Sequence, residues 1–273
     1  MVLSFARPKL GETWLSVFVV QASVESKLQP QTICHKSFLN GALGLSKLTE
    51  KYLASADGSV YIQDKTVLDI GSGKGNLVGR VLDNNARKVL GIDISGDAVK
   101  NCQNKFAGDK RVEFAKIDLN NRTAMSKFIQ QAAPAGVDTF LCNPAQVPLA
   151  APLANGYFAG NDGRRMVDAV LREFAAVGLP RAVLIMTQTQ LSGWKKTMEW
   201  CKSHGLCATV VASSSFPMYA DIQTNDDAMT YLHKRFGFGK KSSLEGHLLL
   251  IRHAATCPPE VDQLGERKDE SDS

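Results

Sequence analysis

The sequence lacks any apolar run long enough to cross a bilayer. Its most apolar early stretch, Trp14 to Ala22, falls well short of the roughly 20 residues a spanning helix needs. That stretch also lacks a basic flank and a small-residue cleavage site, so neither a membrane span nor a signal peptide is expected, and the expected compartment is cytoplasmic. Cysteine is sparse: Cys34, Cys102, Cys142, Cys201, Cys207 and Cys257 are scattered, with no C-x-x-C pair and no histidine at finger spacing. This excludes a zinc module and leads us to expect reduced thiols rather than disulfides. His35, His204, His247 and His253 have no metal-like neighbours, so no metal site is expected. An excess of one charge is nearly absent, since 32 basic residues face 27 acidic ones for a net +5, which permits a nucleic-acid partner without demanding one. There is no internal repeat and no G-x-S-x-G nucleophile elbow. The dinucleotide pattern G-x-G-x-x-G is also missing, because the glycines fall at Gly71, Gly73 and Gly75 with Asn76 at the third position.

What is present is organised around Val67 to Leu77, where an apolar run stops at Asp69 and Ile70 and opens into three alternating glycines. The pattern reads as strand, tight turn and helix N-terminus, and glycine lets the backbone pass close to a ligand there. From Lys65 onward apolar strands alternate with amphipathic helices, which predicts an α/β fold with a mostly parallel sheet covered on both faces. Seven strands are expected: Val67–Ile70, Lys88–Ile94, Val112–Ile117, Val137–Cys142, Ala182–Met186, Leu206–Ala212 and His247–Ile251. Residues 1–56, including a predicted helix over Cys34–Leu53, form an N-terminal extension or cover. Residues 57–256 form the main domain, and 257–273 read as a disordered tail rich in charge and serine.

Three positions at the carboxyl edge of the predicted sheet carry chemistry. Asp93 closes the second strand, where a carboxylate accepts from ribose hydroxyls or caps the following helix. Asp118 ends the third strand and serves equally as an acceptor for an adenine amino group or as the cap of the helix starting near Asn121. The fourth strand delivers Asn143 and Pro144. The Asn143 side-chain oxygen and a backbone carbonyl of residue 143 or 144 make an acceptor pair that can grip an NH₂ group and leave its lone pair directed at an electrophile. The same sequence is also that of an ordinary N-P turn after a strand.

Here the sequence resembles a family. The glycine stretch is similar to motif I of the class I S-adenosylmethionine (SAM) dependent methyltransferases, with Asp93 in their motif II and Asn143 Pro144 in their motif IV. More narrowly, Asn143 Pro144 Ala145 Gln146 Val147 Pro148, followed by Ala159 Gly160 Asn161 Asp162 Gly163 Arg164, resembles the HemK-like glutamine N-methyltransferases. In that family an N-P-P-Y turn precedes a glycine-rich segment that opens a helix. The Lys27 to Thr32 run resembles the element ahead of that family's core. The second proline of the turn is Ala145 here and the aromatic is Gln146.

The resemblance implies a Rossmann-like fold, SAM as cofactor and methyl transfer to nitrogen. It places Asp69, Gly71, Ser72, Gly73, Gly75, Asp93, Ile94, Asp118, Leu119 and Asn143 around the cofactor, and Asn143 and Pro144 in catalysis. Gln146, Tyr157, Phe158 and Phe216 are assigned to the substrate mouth by position. The acceptor stays open among a small amine or amide, a protein glutamine and an RNA base. A SAM-binding regulator or scaffold without turnover, and a dinucleotide oxidoreductase, are the alternatives. The stretch His233 to Lys241 interleaves bases with aromatics and reads as a solvated insertion or as a contact to RNA or acidic protein.

Overall fold

The computed structural model describes residues 44–153 and 158–257. The predicted helix over residues 34–53 lies partly outside them, and its described part is α1 (Leu45–Leu53), followed by the single turn α2 (Ala56–Ser59). Strands β1 (Thr66–Ile70), β2 (Lys88–Asp93), β3 (Val112–Lys116), β4 (Thr139–Cys142) and β5 (Val183–Thr189) alternate with helices α3 (Asn76–Asp83), α4 (Gly96–Lys105), α5 (Arg122–Ala132), α6 (Arg165–Val177) and α7 (Trp194–Ser203). The chain then enters β6 (Leu206–Pro217), α8 (Ala220–Gln223), α9 (Asp226–Phe236) and β7 (Ser243–His253). The seven strands form one sheet in the order β3-β2-β1-β4-β5-β7-β6, parallel except for β7, which pairs antiparallel with both β5 and β6.

Each central strand is buried on both faces, and its residues alternate between two cores. Leu68, Ile70, Phe140, Cys142, Leu184 and Met186 pack with α5, α6 and α7 on one face. Val67, Val89, Leu141, Val183 and Ile185 pack on the other with α1 and α3. Leu48 and Leu53 of α1 belong to that second core, so α1 is packed onto the sheet. A third cluster, including Leu149, Phe216, Met218, Ile222 and Leu232, lies under the insertion between β6 and β7. That ribbon is longer than the sequence suggests. Ser213 to Ser215 are polar, yet they pair with Glu245 to His247 beyond a bulge near Val211, so backbone ladder bonds extend β6 where apolar patterning stops.

Reduced thiols were expected throughout, and here the structure corrects the sequence reading. Cys207 at the start of β6 and Cys257 just past β7 form a disulfide, with Cα atoms 6.3 Å apart. The register of the ribbon sets Cys207 opposite Arg252, and the chain beyond β7 turns back to it, a proximity that spacing along the sequence does not reveal. Cys102, Cys142 and Cys201 are free and buried.

Candidate active site

The strand order reverses between β1 and β4, and an open parallel sheet forms its ligand crevice at such a point, outside the carboxyl ends of the strands. The register pairs Ile70 with Cys142, so Gly71 and Asn143 leave the sheet side by side.

On the β1 side the glycine loop is pinned from beneath. The amides of Gly71 and Ser72 donate to the Ile92 carbonyl at 2.8 and 3.0 Å, and Lys105 Nζ donates to the carbonyls of Lys74 and Gly75 at 3.2 and 3.3 Å. Asp93 Oδ2 accepts from the Gly73 amide at 2.9 Å, while its Oδ1 accepts from the Ser95 amide at 2.8 Å. The carboxylate thus braces the loop and the start of α4, and two acceptor oxygens offer about four lone-pair sites, of which these bonds use two. The cap of α4 itself is Ser95, whose hydroxyl accepts from the Ala98 amide. Beneath the loop Asp69 is buried, and burial together with the neighbouring Asp93 charge raises its pKa to about 7. Ile94 is 64% exposed, which leaves an apolar side chain open beside Asp93. Asp118 is exposed and accepts from the amide and side chain of Asn120, both at 2.9 Å, while Asn121 caps α5. Leu119 packs half-buried on the main core.

On the β4 side Asn143 is held from two elements. Its Oδ1 accepts from Thr187 Oγ1 of β5 at 2.7 Å, and its Nδ2 donates to Ser46 Oγ of α1 at 2.9 Å. Gln146 is fully buried. Its Oε1 accepts from the Thr189 amide at 2.5 Å and from Ser192 Oγ at 3.2 Å, and its Nε2 donates to the Thr187 carbonyl at 3.3 Å. The glycine-rich segment packs directly on this turn. Gly163 has φ +73°, and a Cβ there would lie 2.4 Å from the Gln146 carbonyl oxygen. Arg164 then runs inward, 8% exposed, donating to the carbonyls of Ser192 and Gly193 and to Asp168 and Thr197.

A cleft of about 230 Å³ opens on the turn, lined by Asn143, Pro144 and Ala145 on one side and by Tyr219, Asp221 and Ile222 on the other. Phe216 is buried in the third cluster beneath Tyr219, with ring centroids 5.9 Å apart. Phe158 packs half-buried on the same cluster, and Tyr157 lies outside the described residues. The sequence thus brings Asp93, the glycines and Asn143 to one edge, while Gln146, Phe158 and Phe216 lie in the packing behind the cleft. Tyr219 closes the stretch from Phe216 that was assigned by position to the substrate mouth, whereas Ser46, Thr187 and Asp221 were not singled out, because they reach the site only through tertiary packing. Among the described residues no cluster of His, Cys, Asp or Glu is arranged to hold a metal ion, and no helix is long and apolar enough to cross a membrane.

Sheet order, glycine loop and N-P turn together define a methyltransferase of the Rossmann-like class. Residues 63–235 match the family described as methyltransferase domain, and the chain belongs to it. The chain is 27% identical over 165 residues to a candidate protein N5-glutamine methyltransferase of Methanocaldococcus jannaschii, covering 58% of this chain and 79% of that protein. Its fold is that of a candidate RNA methyltransferase from Pyrococcus horikoshii, with TM-score 0.50 and 14% identity over 79% of this chain and 87% of that one.

Class I methyltransferases take their methyl group from SAM, and the loop fits that cofactor. Ser72 Oγ is buried beside the Cys102 thiol. A Cβ on Gly73 would meet nothing nearer than the Gly71 carbonyl at 3.9 Å, so the space over the loop is open. The α3 N-terminus has Gly75 as its cap and no side-chain bond, leaving amides for a carboxylate. Asp93 suits ribose hydroxyls and Ile94 suits an apolar ring face.

Proposed function

We propose that this enzyme transfers the SAM methyl to a nitrogen of an acceptor bound at the Asn143–Pro144 turn. The observation that carries the reading is the fixed Asn143 amide, clamped by Thr187 and Ser46 at the mouth of a cleft on the cofactor edge. The relationship to a candidate glutamine methyltransferase supports a nitrogen acceptor. SAM supplies an activated methyl group, so the chain needs only to hold and align its partner. Asn143 Oδ1 keeps a lone pair for an acceptor N–H, and a backbone carbonyl of residue 143 or 144 provides the second grip. Two such bonds fix the amino group in one plane and point its lone pair along a single direction. Alignment of this kind accounts for ~7 to 11 kcal/mol of barrier in well-oriented systems, which removes the need for a strong base.

The test separates binding from chemistry. In Asn143→Ala, SAM affinity measured by titration should change less than about threefold, while single-turnover transfer of labelled methyl to lysate acceptors should fall ~10²- to 10³-fold. Near-normal transfer by the variant, or no SAM binding by the parent protein, overturns the proposal.

A further inference from the structure

A second cavity, separate from the cleft at Asn143, holds about 100 Å³ where the glycine-rich segment, the start of α7 and the end of α9 meet. Arg164, Lys196 and Arg235 reach it from these three segments, and Asp162, Leu191 and Phe236 contribute to its wall. Arg164 is buried, and both of its terminal nitrogens are already bonded, so it supplies fixed charge beneath the cavity rather than a free donor. Lys196 and Arg235 differ. Both are exposed, and neither side chain has an ion-pair or hydrogen-bond partner among the described residues; Arg235 lies over the adjacent Phe236 ring at 5.9 Å. Asp162 turns its Oδ1 to the Arg164 amide at 3.0 Å. Counting Asp162 and the Asp168 that pairs with Arg164 against the three cations leaves one formal positive charge. That matches one phosphodiester, whereas a phosphomonoester carries close to two negative charges. The volume is far below the ~300 Å³ at which pockets begin to take drug-sized ligands, so the cavity takes one small ionic group whose neighbours must lie outside it. Phe236 stands at its edge, half-buried and supported by the Tyr231 ring at 6.4 Å, and an aromatic face beside a basic hollow suits a stacked base.

We propose that this cavity is a docking point for a single-stranded nucleic acid. One backbone phosphodiester sits between Lys196 Nζ and the Arg235 guanidinium, over the Arg164 floor, and the adjoining base rests on Phe236. Contacts to backbone and ring face fix position and do not read sequence. Ser192 links this place to the acceptor turn, since its carbonyl accepts from Arg164 and its hydroxyl bonds Gln146. The docking point itself contains neither Asn143 nor the glycine loop, so it stands independently of the reading of that turn.

Fluorescence anisotropy with the full chain and a labelled oligouridylate of about ten nucleotides tests this. The parent protein should bind it, more weakly as salt rises. Lys196→Gln and Arg235→Gln, both at exposed positions, should each weaken binding about threefold to tenfold, and the double variant should reduce the slope of log affinity against log salt by about 0.7. Lys234→Gln removes the same charge from the adjacent position of α9, outside the cavity wall, and should cost less than about twofold. Phe236→Leu should weaken binding about fivefold with the circular dichroism spectrum unchanged. No binding by the parent protein at low salt, equal losses in Lys234→Gln and Arg235→Gln, or tighter binding of a phosphoserine peptide or of polyglutamate than of the oligouridylate overturns the proposal. The charge variants decide the matter even if Phe236→Leu fails to fold. Because no methyl transfer is measured, such a failure leaves the reading of Asn143 standing.

Discussion

Asp69 shows how one residue couples the site to stability. It is fully enclosed under the glycine loop, and burial next to Asp93 raises its pKa from 3.8 to about 7. A carboxyl whose pKa rises on folding binds more protons in the native state than in the unfolded chain between those two values. Its stabilising contribution is therefore complete below pH ~4 and is lost as pH rises through about 7. A shift of this size corresponds to about 4 kcal/mol between the limits. Asp69→Asn removes the titration and keeps the shape. Denaturant midpoints at pH 5 and pH 8 should show the parent protein losing stability relative to Asp69→Asn at the higher pH, and parallel behaviour would contradict the burial account. Asn143 and Gln146 illustrate which residue roles were legible in the sequence. Asn143 follows an apolar strand and precedes proline, so its place at the sheet edge is a local inference. Gln146 is three residues further along a turn without periodicity. Its inward orientation depends on Thr189 and Ser192, more than forty residues away, and no local pattern reports it.

At the scale of elements, the glycines of one loop have separate tasks. Gly73 has φ +51° and open space where its Cβ would point, so Gly73→Ala should fold at a cost of about 1 to 2 kcal/mol while weakening SAM binding at least about tenfold. Gly75 caps α3, and a Cβ there would lie 2.7 Å from Phe106 Cε2 and 3.0 Å from Cys102 Sγ. Gly75→Ala should therefore destabilise the fold by about 1 to 3 kcal/mol as the ring is displaced. Thermal midpoints beside SAM titrations distinguish the two variants, and a Gly73→Ala protein with parental SAM affinity would show that the loop does not approach the cofactor. The alternation of strands and helices was legible because each buried strand is apolar and each helix carries a stripe, such as Leu77, Val78, Val81 and Leu82. The ends of β5, β6 and β7 were not, because Thr187 to Thr189 and Ser213 to Ser215 are polar residues drawn into the sheet by backbone pairing. The glycine-rich segment at 160–163 was visible as a motif. Its purpose, letting the backbone of Gly163 press on the Gln146 carbonyl, appears only in three dimensions.

At the scale of the whole molecule, the sheet is finished by the antiparallel ribbon β6–β7, and Cys207–Cys257 closes its open end across 50 residues of sequence. The enclosed segment contains α8, α9 and the Tyr219 wall of the cleft, so the disulfide limits the unfolded freedom of the insertion that forms that wall. Closing a loop of that length removes chain entropy worth about 4 kcal/mol in the simplest account. The glycine loop and the Asn143 turn lie outside that segment and are held by β2, β5 and α1, none of which the disulfide joins. Stability and cofactor binding should therefore respond differently to reduction. Cys207→Ser should lower the thermal midpoint by an amount equivalent to about 2 to 4 kcal/mol, and a reducing agent should lower that of the parent protein to the same value. SAM affinity measured well below the midpoint should stay within about twofold. An unchanged midpoint, or one that reductant lowers further in Cys207→Ser, would show that the bond does not carry this constraint, and free-thiol titration of the denatured chain with and without reductant would count the bond directly.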